Sequence, residues 1–245
     1  MSESERNAAQ FDASSDNVFE RIAGRYDALC DVFSFGAHRL WKRRLASRIA
    51  ALPGDRYLDI ASGTGDIPLR ELSRRREIRR AQPVLVTDLA PAMLEIARRR
   101  LAPAGRAASF RVLDAHQLSE IDSDSIDIYS ISFAMKILDR ARVLEEAFRV
   151  LKPGGRFFCL EAGRIPVAPI QTAYLGYMDW CVPLISRLAT GGDASAYEYL
   201  LRGVHDFPAQ DAFCAEIREH GFVDVSHENL TLGIVAIHEA RKPHP

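Results

Sequence analysis

The segment Leu58–Asp66, Leu-Asp-Ile-Ala-Ser-Gly-Thr-Gly-Asp, constrains the fold more than any other part of the chain. The apolar run from Tyr57 to Ile60 predicts a buried strand, and the amphipathic segment Pro68–Arg80 predicts a helix. A strand, a glycine turn and a helix in this order are typical of doubly wound α/β folds, in which the turn brings backbone close to a nucleotide-like ligand. A side chain in that turn would block the approach or exclude the dihedral angles that it needs.

The details of the turn favour an adenosyl ligand that carries no pyrophosphate. A dinucleotide-binding turn has a third glycine where this chain has Pro68, and the Gly-Lys-Ser/Thr of a Walker loop is absent from the sequence. Asp88 ends the next apolar run, Val84–Val86, about twenty residues further on, where an acid can bind both ribose hydroxyls. Thr64 and Asp66 offer polar atoms to an amino-acid end. Together these features predict an S-adenosylmethionine site.

The overall charge argues against nucleic acid as a partner. The 245-residue chain has a formal net charge of −1 at pH 7, whereas nucleic-acid binders usually carry a basic stripe. Arginines cluster at 74–76, 79–80 and 98–100. We interpret them as solvated cations in the last turns of helices, where they complement the helix dipole.

The sequence also predicts a cytoplasmic protein without a metal site. It has no signal-peptide pattern and no apolar run long enough to span a bilayer. The cysteines are far apart and include no C-x-x-C pair, which favours free thiols in a reducing compartment over disulfides or zinc ligands. They are Cys30, Cys159, Cys181 and Cys214. The segment Asp122–Ser125 lacks the third acid and the glycine of a calcium loop, so we interpret it as an ordinary loop.

Apolar runs and amphipathic segments alternate along most of the chain, which predicts an α/β domain with a parallel sheet and helices on both faces. Strands are predicted at Arg56–Ile60, Val84–Asp88, Ser109–Leu113, Ile126–Ser132 and Arg156–Glu161. Helices are predicted at Pro68–Arg80, Pro91–Leu101 and Arg140–Leu151. The run Lys152–Gly155 is expected to form a turn before the fifth strand, because proline and paired glycine end helices.

The two ends of the chain depart from this alternation. Residues 1–17 are expected to be a flexible terminus, and residues 18–50 are helical in pattern with a break near Ser34–Gly36. One domain is predicted from residue 18 to 245. The last part of the chain is predicted to form a helix and an antiparallel hairpin, at Ala209–His220, Phe222–Asn229 and Leu232–Glu239.

A helical insertion at 165–203 is rich in apolar and aromatic residues. They are Tyr174, Tyr177, Met178, Trp180, Val182, Leu184, Ile185 and Leu188. Two interpretations stay open. Helical spacing of such residues is typical of core packing, but the same residues would also form an apolar mouth that accepts a lipid-soluble substrate at a membrane surface.

Several runs resemble the ubiquinone/menaquinone biosynthesis C-methyltransferase family. The most specific is Ser-Phe-Gly-x-His-Arg-Leu-Trp-Lys-Arg at Ser34–Arg43. It is joined by the glycine turn Ala61–Asp66 and by Arg149–Arg156, whose Lys-Pro-Gly-Gly is common to many methyltransferases. With the tail Asn229–His238, the similarity extends over Val18–His238, nearly the whole chain.

The resemblance implies a class I methyltransferase, which is a doubly wound, Rossmann-like α/β fold. Its seven-stranded sheet is mostly parallel with the last strand antiparallel, and residues 18–50 form a helical lid over the cofactor. It further implies S-adenosylmethionine as the cofactor, a prenylated quinol as the acceptor and a homodimer. Two alternatives remain: O-, N- or C-methylation of another lipophilic or aromatic acceptor, and a non-catalytic cofactor-binding scaffold.

Position by position, the resemblance implies a set of cofactor-binding residues. They are Tyr26, Ala61, Gly63, Thr64, Gly65, Asp88, Leu89, Asp114, Ala115 and Ser132. Asp88 would bind the ribose, and Asp114 and Ala115 would flank the adenine, with Asp114 where the family tends to have asparagine. Tyr26 would close over the cofactor.

For catalysis the first candidate is Lys136. The family usually has Gly-x-Arg-Asn after Ser-Phe, and this chain has Lys136 and Ile137 at the last two of those positions. A cation here would stabilise a phenolate. His38 and His205 are the candidate proton acceptors, because histidine titrates near working pH. A solvated loop lysine and structural histidines are the simpler alternatives, and Glu161 is either an acid at the edge of the site or a structural cap.

Overall fold

Strands and helices alternate along the computed structural model, which describes residues 23–74, 83–190 and 203–244. The strands are β1 (Tyr57–Ile60), β2 (Val84–Asp88), β3 (Ala108–Val112), β4 (Ile126–Ser132), β5 (Leu151–Ala162), β6 (Val223–Leu230) and β7 (Val235–Arg241). The longer helices are α1 (Tyr26–Ser34), α2 (Ala37–Ala50), α3 (Asp66–Arg74), α4 (Pro91–Leu101), α5 (Arg140–Val150), α6 (Ala168–Thr190) and α7 (Gln210–Glu219).

One sheet contains all seven strands, in the order β3-β2-β1-β4-β5-β7-β6. The pairs among β1 to β5 are parallel, whereas β7 is antiparallel to both of its neighbours. The strand order reverses direction at β1, which pairs with β2 on one side and with β4 on the other. Open α/β sheets bind ligands outside the carboxyl ends of their strands at such a point. The predicted class I methyltransferase fold is confirmed.

Strand β1 is buried on both faces of the sheet, as expected for a central parallel strand. Its side chains alternate between two cores. Leu58 belongs to the core that includes Leu144 of α5, and Tyr57 belongs to the core that includes Ile49 of α2. Helices therefore cover both faces, and the apolar run before the glycine turn is held firmly in place.

Several predicted boundaries were wrong, among them those of α3 and β5. Helix α3 begins at Asp66, two residues before Pro68, because proline is tolerated in a first turn, where its missing N–H would have no helical partner. Its predicted end at Arg80 lies outside the described residues. The run Lys152–Gly155 is no separate turn but part of β5, whose pairing with β4 contains a bulge. The backbone N–H of Gly154 donates to the carbonyl of Lys242, which extends the sheet there.

The antiparallel hairpin of β6 and β7 is present, and β7 begins at Val235 instead of the predicted Leu232. Thr231 and Leu232 have φ of 47° and 61°, so they close the turn and cannot continue a strand. The predicted break between α1 and α2 falls at Phe35 and Gly36, which also have positive φ. Within the described residues, no helix has both the length and the apolar character needed to cross a membrane.

Candidate active site

The carboxyl ends of β1 to β4 surround a pocket of about 700 Å³, which we call the first pocket. Eight of the ten predicted cofactor-binding residues line it. They are Tyr26, Ala61, Gly63, Asp88, Leu89, Asp114, Ala115 and Ser132. Because each follows a strand end or lies on α1 beside the glycine turn, the topology brings them together at one edge of the sheet.

Asp88 ties β2 to the glycine turn. Its Oδ2 accepts a hydrogen bond from the backbone N–H of Gly63 at 2.7 Å, and its Oδ1 accepts one from Ala90 at 2.9 Å. Gly63 has a φ of 55°, and a Cβ placed on it would meet no atom within 4 Å. The turn is therefore held in a conformation that favours glycine and leaves open space beside the Asp88 carboxylate.

The remaining two predicted residues, Thr64 and Gly65, do not line this pocket. Thr64 is buried, and its hydroxyl donates to Asp27 at 2.8 Å and accepts from Arg100 at 2.7 Å. A Cβ on Gly65 would lie 3.0 Å from the Cβ of Ala97, so glycine allows α4 to pack against the turn. Both residues thus hold neighbouring elements on the turn.

Arg100 corrects our interpretation of the arginine clusters as solvated cations. Its guanidinium bridges Asp27 of α1 and Asp66 of α3, at 2.8 Å each. This network connects α1, the glycine turn, α3 and α4. Arg98, in the same cluster, lies with its guanidinium 4.9 Å from the centre of the Phe110 ring.

A second, larger pocket of about 1310 Å³ adjoins the first. It is lined by residues of α1, α2, α6, the loop after β4 and the β6–β7 turn, and the lining is mostly apolar. Tyr26 and Phe133 line both pockets. Phe133 has a φ of 56°, an unusual value for a bulky residue, and it follows Ser132 directly at the end of β4. The two pockets therefore meet at these two rings.

Lys136 and Glu161 form a buried ion pair in the wall of the second pocket. The lysine ammonium is 3.1 Å from Oε1 of Glu161, and the backbone N–H of Lys136 donates to Oε2 at 3.2 Å. The ammonium also donates to the carbonyl of Phe133. An ammonium has three donors, so one remains for a ligand in this pocket.

His38 lines the second pocket as well and is buried. The hydroxyl of Ser34 donates to the carbonyl of Cys30 at 2.7 Å, so it must accept from Nδ1 of His38, which is 2.8 Å away. The ring proton is then on Nδ1, and Nε2 is left as an acceptor. Burial, followed by the charge of the nearby Lys42, lowers the pKa of His38 to about 4. His38 is therefore neutral near pH 7.

Lys42 is a pocket residue that sequence reasoning missed. It forms a buried ion pair with Asp66, at 3.3 Å. Burial alone would raise the pKa of Asp66, but Lys42, Arg70 and Arg100 outweigh it and hold that pKa at about 2. The only sequence signal for Lys42 was its place in the Ser34–Arg43 run, because its partner is distant in sequence.

The other predicted residues fall in different places. His205 lines neither pocket, and its Nε2 lies 2.7 Å from Asp179 at the surface. Ile137 lines the first pocket, whereas Lys136 lines the second. The two departures from the Arg-Asn pattern therefore line different pockets.

The insertion supplies one wall of the second pocket, through Tyr174, Tyr177 and Met178 of α6. Trp180 is 81% exposed, so the core interpretation is wrong for this residue. The side chains of Val182, Leu184, Ile185 and Leu188 lie outside the described part of the structure, as do residues 191–202. Over the described residues, no three metal-ligating side chains form a cluster, and the four cysteines are free thiols.

The comparison with known protein families decides the assignment. Residues 7–242 match the model of the ubiE/COQ5 methyltransferase family. The chain belongs to this family. A ubiquinone/menaquinone biosynthesis C-methyltransferase from Acidiphilium cryptum is 43% identical over 90% of this chain and 87% of its own length. A mitochondrial 2-methoxy-6-polyprenyl-1,4-benzoquinol methylase from Oryza sativa is 37% identical over 92% of this chain and 82% of its own length.

Solved structures agree on the fold of this ubiE/COQ5 methyltransferase. An S-adenosylmethionine-dependent methyltransferase from Thermotoga maritima superposes with a TM-score of 0.63 and 18% identity, over 91% of this chain and 97% of that one. A phosphoethanolamine N-methyltransferase from Haemonchus contortus, in complex with S-adenosyl-L-methionine, superposes with a TM-score of 0.58 and 17% identity. The match covers 82% of this chain and 52% of that one. The enzyme is an S-adenosylmethionine-dependent methyltransferase.

Proposed function

We propose that this methyltransferase transfers the methyl group of S-adenosylmethionine to a ring carbon of a prenylated hydroquinone. The observation that carries the proposal is the junction of the two pockets at Tyr26 and Phe133. A pocket that contains the carboxylates of Asp88 and Asp114, for the cofactor, adjoins a larger and mostly apolar pocket for the acceptor, and the names of the relatives supply the acceptor class. Methylation of another lipophilic acceptor is the alternative.

The first pocket fits the cofactor on three grounds. The Asp88 carboxylate lines it, and a carboxylate is a hydrogen-bond acceptor of the kind that ribose hydroxyls require. Asp114 lines it too, and Oδ2 of Asp114 makes no hydrogen bond with a described residue, which suits the exocyclic amine of adenine. The open space at Gly63 admits a ligand close to backbone. Tyr26 of α1 would cover the ligand from the lid side.

Bound S-adenosylmethionine supplies a methyl group on a positively charged sulfur, which is open to attack in line with the breaking bond. The chain contributes mainly position, by holding the acceptor ring against the junction and excluding water. The rings of Tyr26 and Phe133 would flank the path, and Trp41 packs against Phe133 with 6.2 Å between ring centres. The Trp41 indole donates to Thr231 at 2.8 Å. This hydrogen bond connects α2 to the β6–β7 turn in the wall of the second pocket.

A hydroquinone ring carbon becomes a stronger nucleophile when its neighbouring hydroxyl loses a proton. In our proposal Nε2 of His38 accepts that proton, because the hydrogen bond to Ser34 keeps Nε2 unprotonated. The free donor of Lys136 then stabilises the phenolate oxygen. The ring carbon would take the methyl group as the sulfur–methyl bond breaks, which leaves S-adenosylhomocysteine. The ring carbon would then release its own proton to water, the ring would regain its aromatic character, and the phenolate oxygen would take back the proton held by His38.

The prenyl chain needs an apolar channel to solvent or to lipid. Tyr174, Tyr177 and Met178 provide an apolar wall, and Phe35 packs on Tyr177 with 5.8 Å between ring centres. Phe35 is 82% exposed, so the wall continues to the surface at the α1–α2 break. This path supports an acceptor with a long apolar tail.

We also propose that the mouth of the second pocket contacts a membrane on the cytoplasmic side. The exposed large apolar side chains of the described residues concentrate on the elements around this mouth. They are Phe35, Leu40, Val167, Ile170, Trp180 and Leu232. Aromatic and aliphatic side chains of this kind bury themselves at a lipid interface.

Vesicle sedimentation tests the membrane proposal. With vesicles of phosphatidylcholine and phosphatidylglycerol, the double variant Phe35→Ser/Trp180→Ser should lose most of the bound fraction of the wild type. The matched control is Val112→Ser, since Val112 is 50% exposed but lines neither pocket. Equal binding by the wild type and the double variant would contradict a docking role for this surface.

The acceptor is tested by incubating purified enzyme and labelled S-adenosylmethionine with a lipid extract that lacks the quinone C-methylation step. We expect label in a quinone, identified by mass, and none with the Asp88→Ala variant. Label in a different lipid would replace the acceptor with the alternative class. A protein that binds the cofactor but labels no lipid would contradict the hydroquinone proposal and leave the fold assignment intact.

A further inference from the structure

His116 connects the first pocket to the start of α5. Its Nε2 is 3.1 Å from the backbone nitrogen of Asp139, and its Nδ1 is 2.7 Å from Oδ1 of Asp114. The backbone N–H of His116 donates to the same oxygen at 2.9 Å. The His116 side chain is 12% exposed and lines the pocket beside Asp114.

These contacts determine which ring nitrogen carries the proton. A backbone N–H only donates, so Nε2 of His116 must accept from Asp139 and carries no proton in the neutral ring. The proton is then on Nδ1, and it is donated to Asp114. No other arrangement of the neutral ring satisfies both contacts.

The same contacts orient the carboxylate of Asp114. Oδ1 receives two hydrogen bonds from His116, and Oδ2 receives none from a described residue. An aspartate is ionised at neutral pH, and the hydrogen bond from the His116 ring lowers the pKa of Asp114 further. An ionised carboxylate accepts hydrogen bonds and donates none. Because Asp114 lines the first pocket, its Oδ2 can accept a hydrogen bond from a ligand there.

We propose that His116 is a positioning residue that holds the Asp114 carboxylate in one orientation, with Oδ2 left to accept from the ligand, and so strengthens the preference of the cofactor pocket for a 6-amino purine over a 6-oxo purine. The inference rests on the adenine placement in the proposed function. The exocyclic amine of adenine donates to Oδ2, whereas the 6-oxo group of hypoxanthine would place a second acceptor against it. Repulsion of this kind discriminates strongly between such analogues.

An asparagine at position 114 shows why His116 matters. With His116 and its backbone N–H both donating to the amide oxygen, the amide nitrogen of Asp114→Asn would face the pocket as a donor. That donor suits a 6-oxo purine and opposes a 6-amino purine. In His116→Phe only the backbone N–H of residue 116 still holds the amide oxygen, so the amide is held less firmly and the effects of the two substitutions should not be additive.

The experiment is calorimetric binding of S-adenosylhomocysteine and S-inosylhomocysteine, which differ in the 6-substituent and in the protonation of N1. The wild type should prefer the adenosyl form by at least about tenfold, the ratio expected for one hydrogen bond. In His116→Phe that preference should fall several-fold, and in Asp114→Asn at least about tenfold. In the double variant, the loss caused by the asparagine should be smaller than in Asp114→Asn alone. The melting temperature of each variant establishes that it is folded.

The outcomes distinguish a wrong placement of the adenine from a wrong role for His116. If Asp114→Ala leaves S-adenosylhomocysteine affinity unchanged, the adenine placement itself is wrong. If Asp114→Ala weakens binding but His116→Phe leaves the adenosyl-to-inosyl ratio unchanged, only the positioning role of His116 is overturned. If His116→Phe fails to fold, Asp114→Asn alone decides. An unchanged adenosyl-to-inosyl ratio in Asp114→Asn would overturn the positioning role of His116.

Discussion

The ammonium of Lys136 lies 3.1 Å from Oε1 of Glu161, a carboxylate with no exposed surface near the end of β5. Glu161 also accepts hydrogen bonds from the backbone N–H groups of Lys136 and Ala162. A buried ion pair offsets its desolvation only when such additional hydrogen bonds are present. The pair therefore holds a cation at a defined position in the wall of the second pocket.

The first prediction concerns this cation. Lys136→Met should lower kcat for the quinol by about 100-fold, because an electrostatic stabiliser of the phenolate is lost. Lys136→Arg keeps the charge and should retain most of the rate. The measurement is steady-state kinetics, with S-adenosylmethionine affinity as the control for an intact cofactor pocket. An unchanged kcat for the methionine variant would remove Lys136 from the mechanism.

The second prediction concerns Asp88. Asp88→Ala should weaken S-adenosylmethionine binding by at least about tenfold, since a charge-assisted hydrogen bond to the ribose contributes about 1.5–3 kcal/mol. The Gly63 N–H also loses its acceptor in this variant. Calorimetry measures the affinity, and Asp55→Ala, an exposed acid outside both pockets, is the matched control. Wild-type affinity in Asp88→Ala would refute the ribose assignment.

The third prediction is a pH profile. His38 accepts a proton only when neutral, so kcat/KM should fall as pH drops through the pKa of about 4. The charged groups that act on His38 are Asp31, 3.7 Å from Nδ1, together with Arg39, Lys42 and Asp66. An acid limb near pH 6.5 in the wild type would contradict this role.

The fourth prediction tests the tautomer of His38 through Ser34. Ser34→Ala removes the acceptor that keeps the proton on Nδ1, so kcat should fall several-fold while KM for S-adenosylmethionine stays unchanged. Ser34→Thr retains the hydroxyl and should restore most of the rate. If alanine and threonine at this position give the same kcat as serine, the hydrogen bond has no part in catalysis.

The fifth prediction concerns stability. His238 of β7 is fully buried, and burial lowers its pKa to about 4, below the ordinary 6.5 of an unfolded chain. Between these values the unfolded state binds the proton and the native state does not. Stability is therefore complete above pH 6.5 and is lost as pH falls towards 4, by up to about 3 kcal/mol.

Urea unfolding of His238→Phe against the wild type measures this loss. The variant should show a smaller decrease in unfolding free energy between pH 7 and pH 4.5. His220→Phe is the control, since His220 is only partly buried, in the turn after α7. The assignment fails if His238→Phe and the wild type lose stability in parallel over this range.

The cofactor side of the site could be predicted from sequence because its residues follow strand ends. Once Leu58–Asp66 and the run ending in Asp88 are assigned to neighbouring parallel strands, their carboxyl ends must meet at one edge of the sheet. The same argument places Asp114, which follows β3, and Ser132, which ends β4, at this edge of the sheet. The number of strands and the antiparallel last strand followed from the family resemblance, whereas the structure gave the order of the strands, since alternation alone does not fix which strand lies next to which.

The acceptor side could be predicted only in part. Lys136 and His38 were candidates by residue type and by family position, but their partners Glu161 and Ser34 were not assigned to them. Lys42 was missed because no local pattern connects it with Asp66. Each of these pairs depends on side-chain directions that the backbone and packing of separate helices determine.

The sequence by itself determined the elements, the glycine turn and the family, because these are carried by short-range periodicity and by residues adjacent in the chain. Only the tertiary structure decided that Thr64 binds Arg100 and that His116 orients Asp114. It also decided that α1, α6 and the β6–β7 turn enclose one apolar pocket. Contacts between segments so distant in sequence exist only after the sheet has brought those segments together, and single hydrogen bonds within them then depend on differences of less than an ångström.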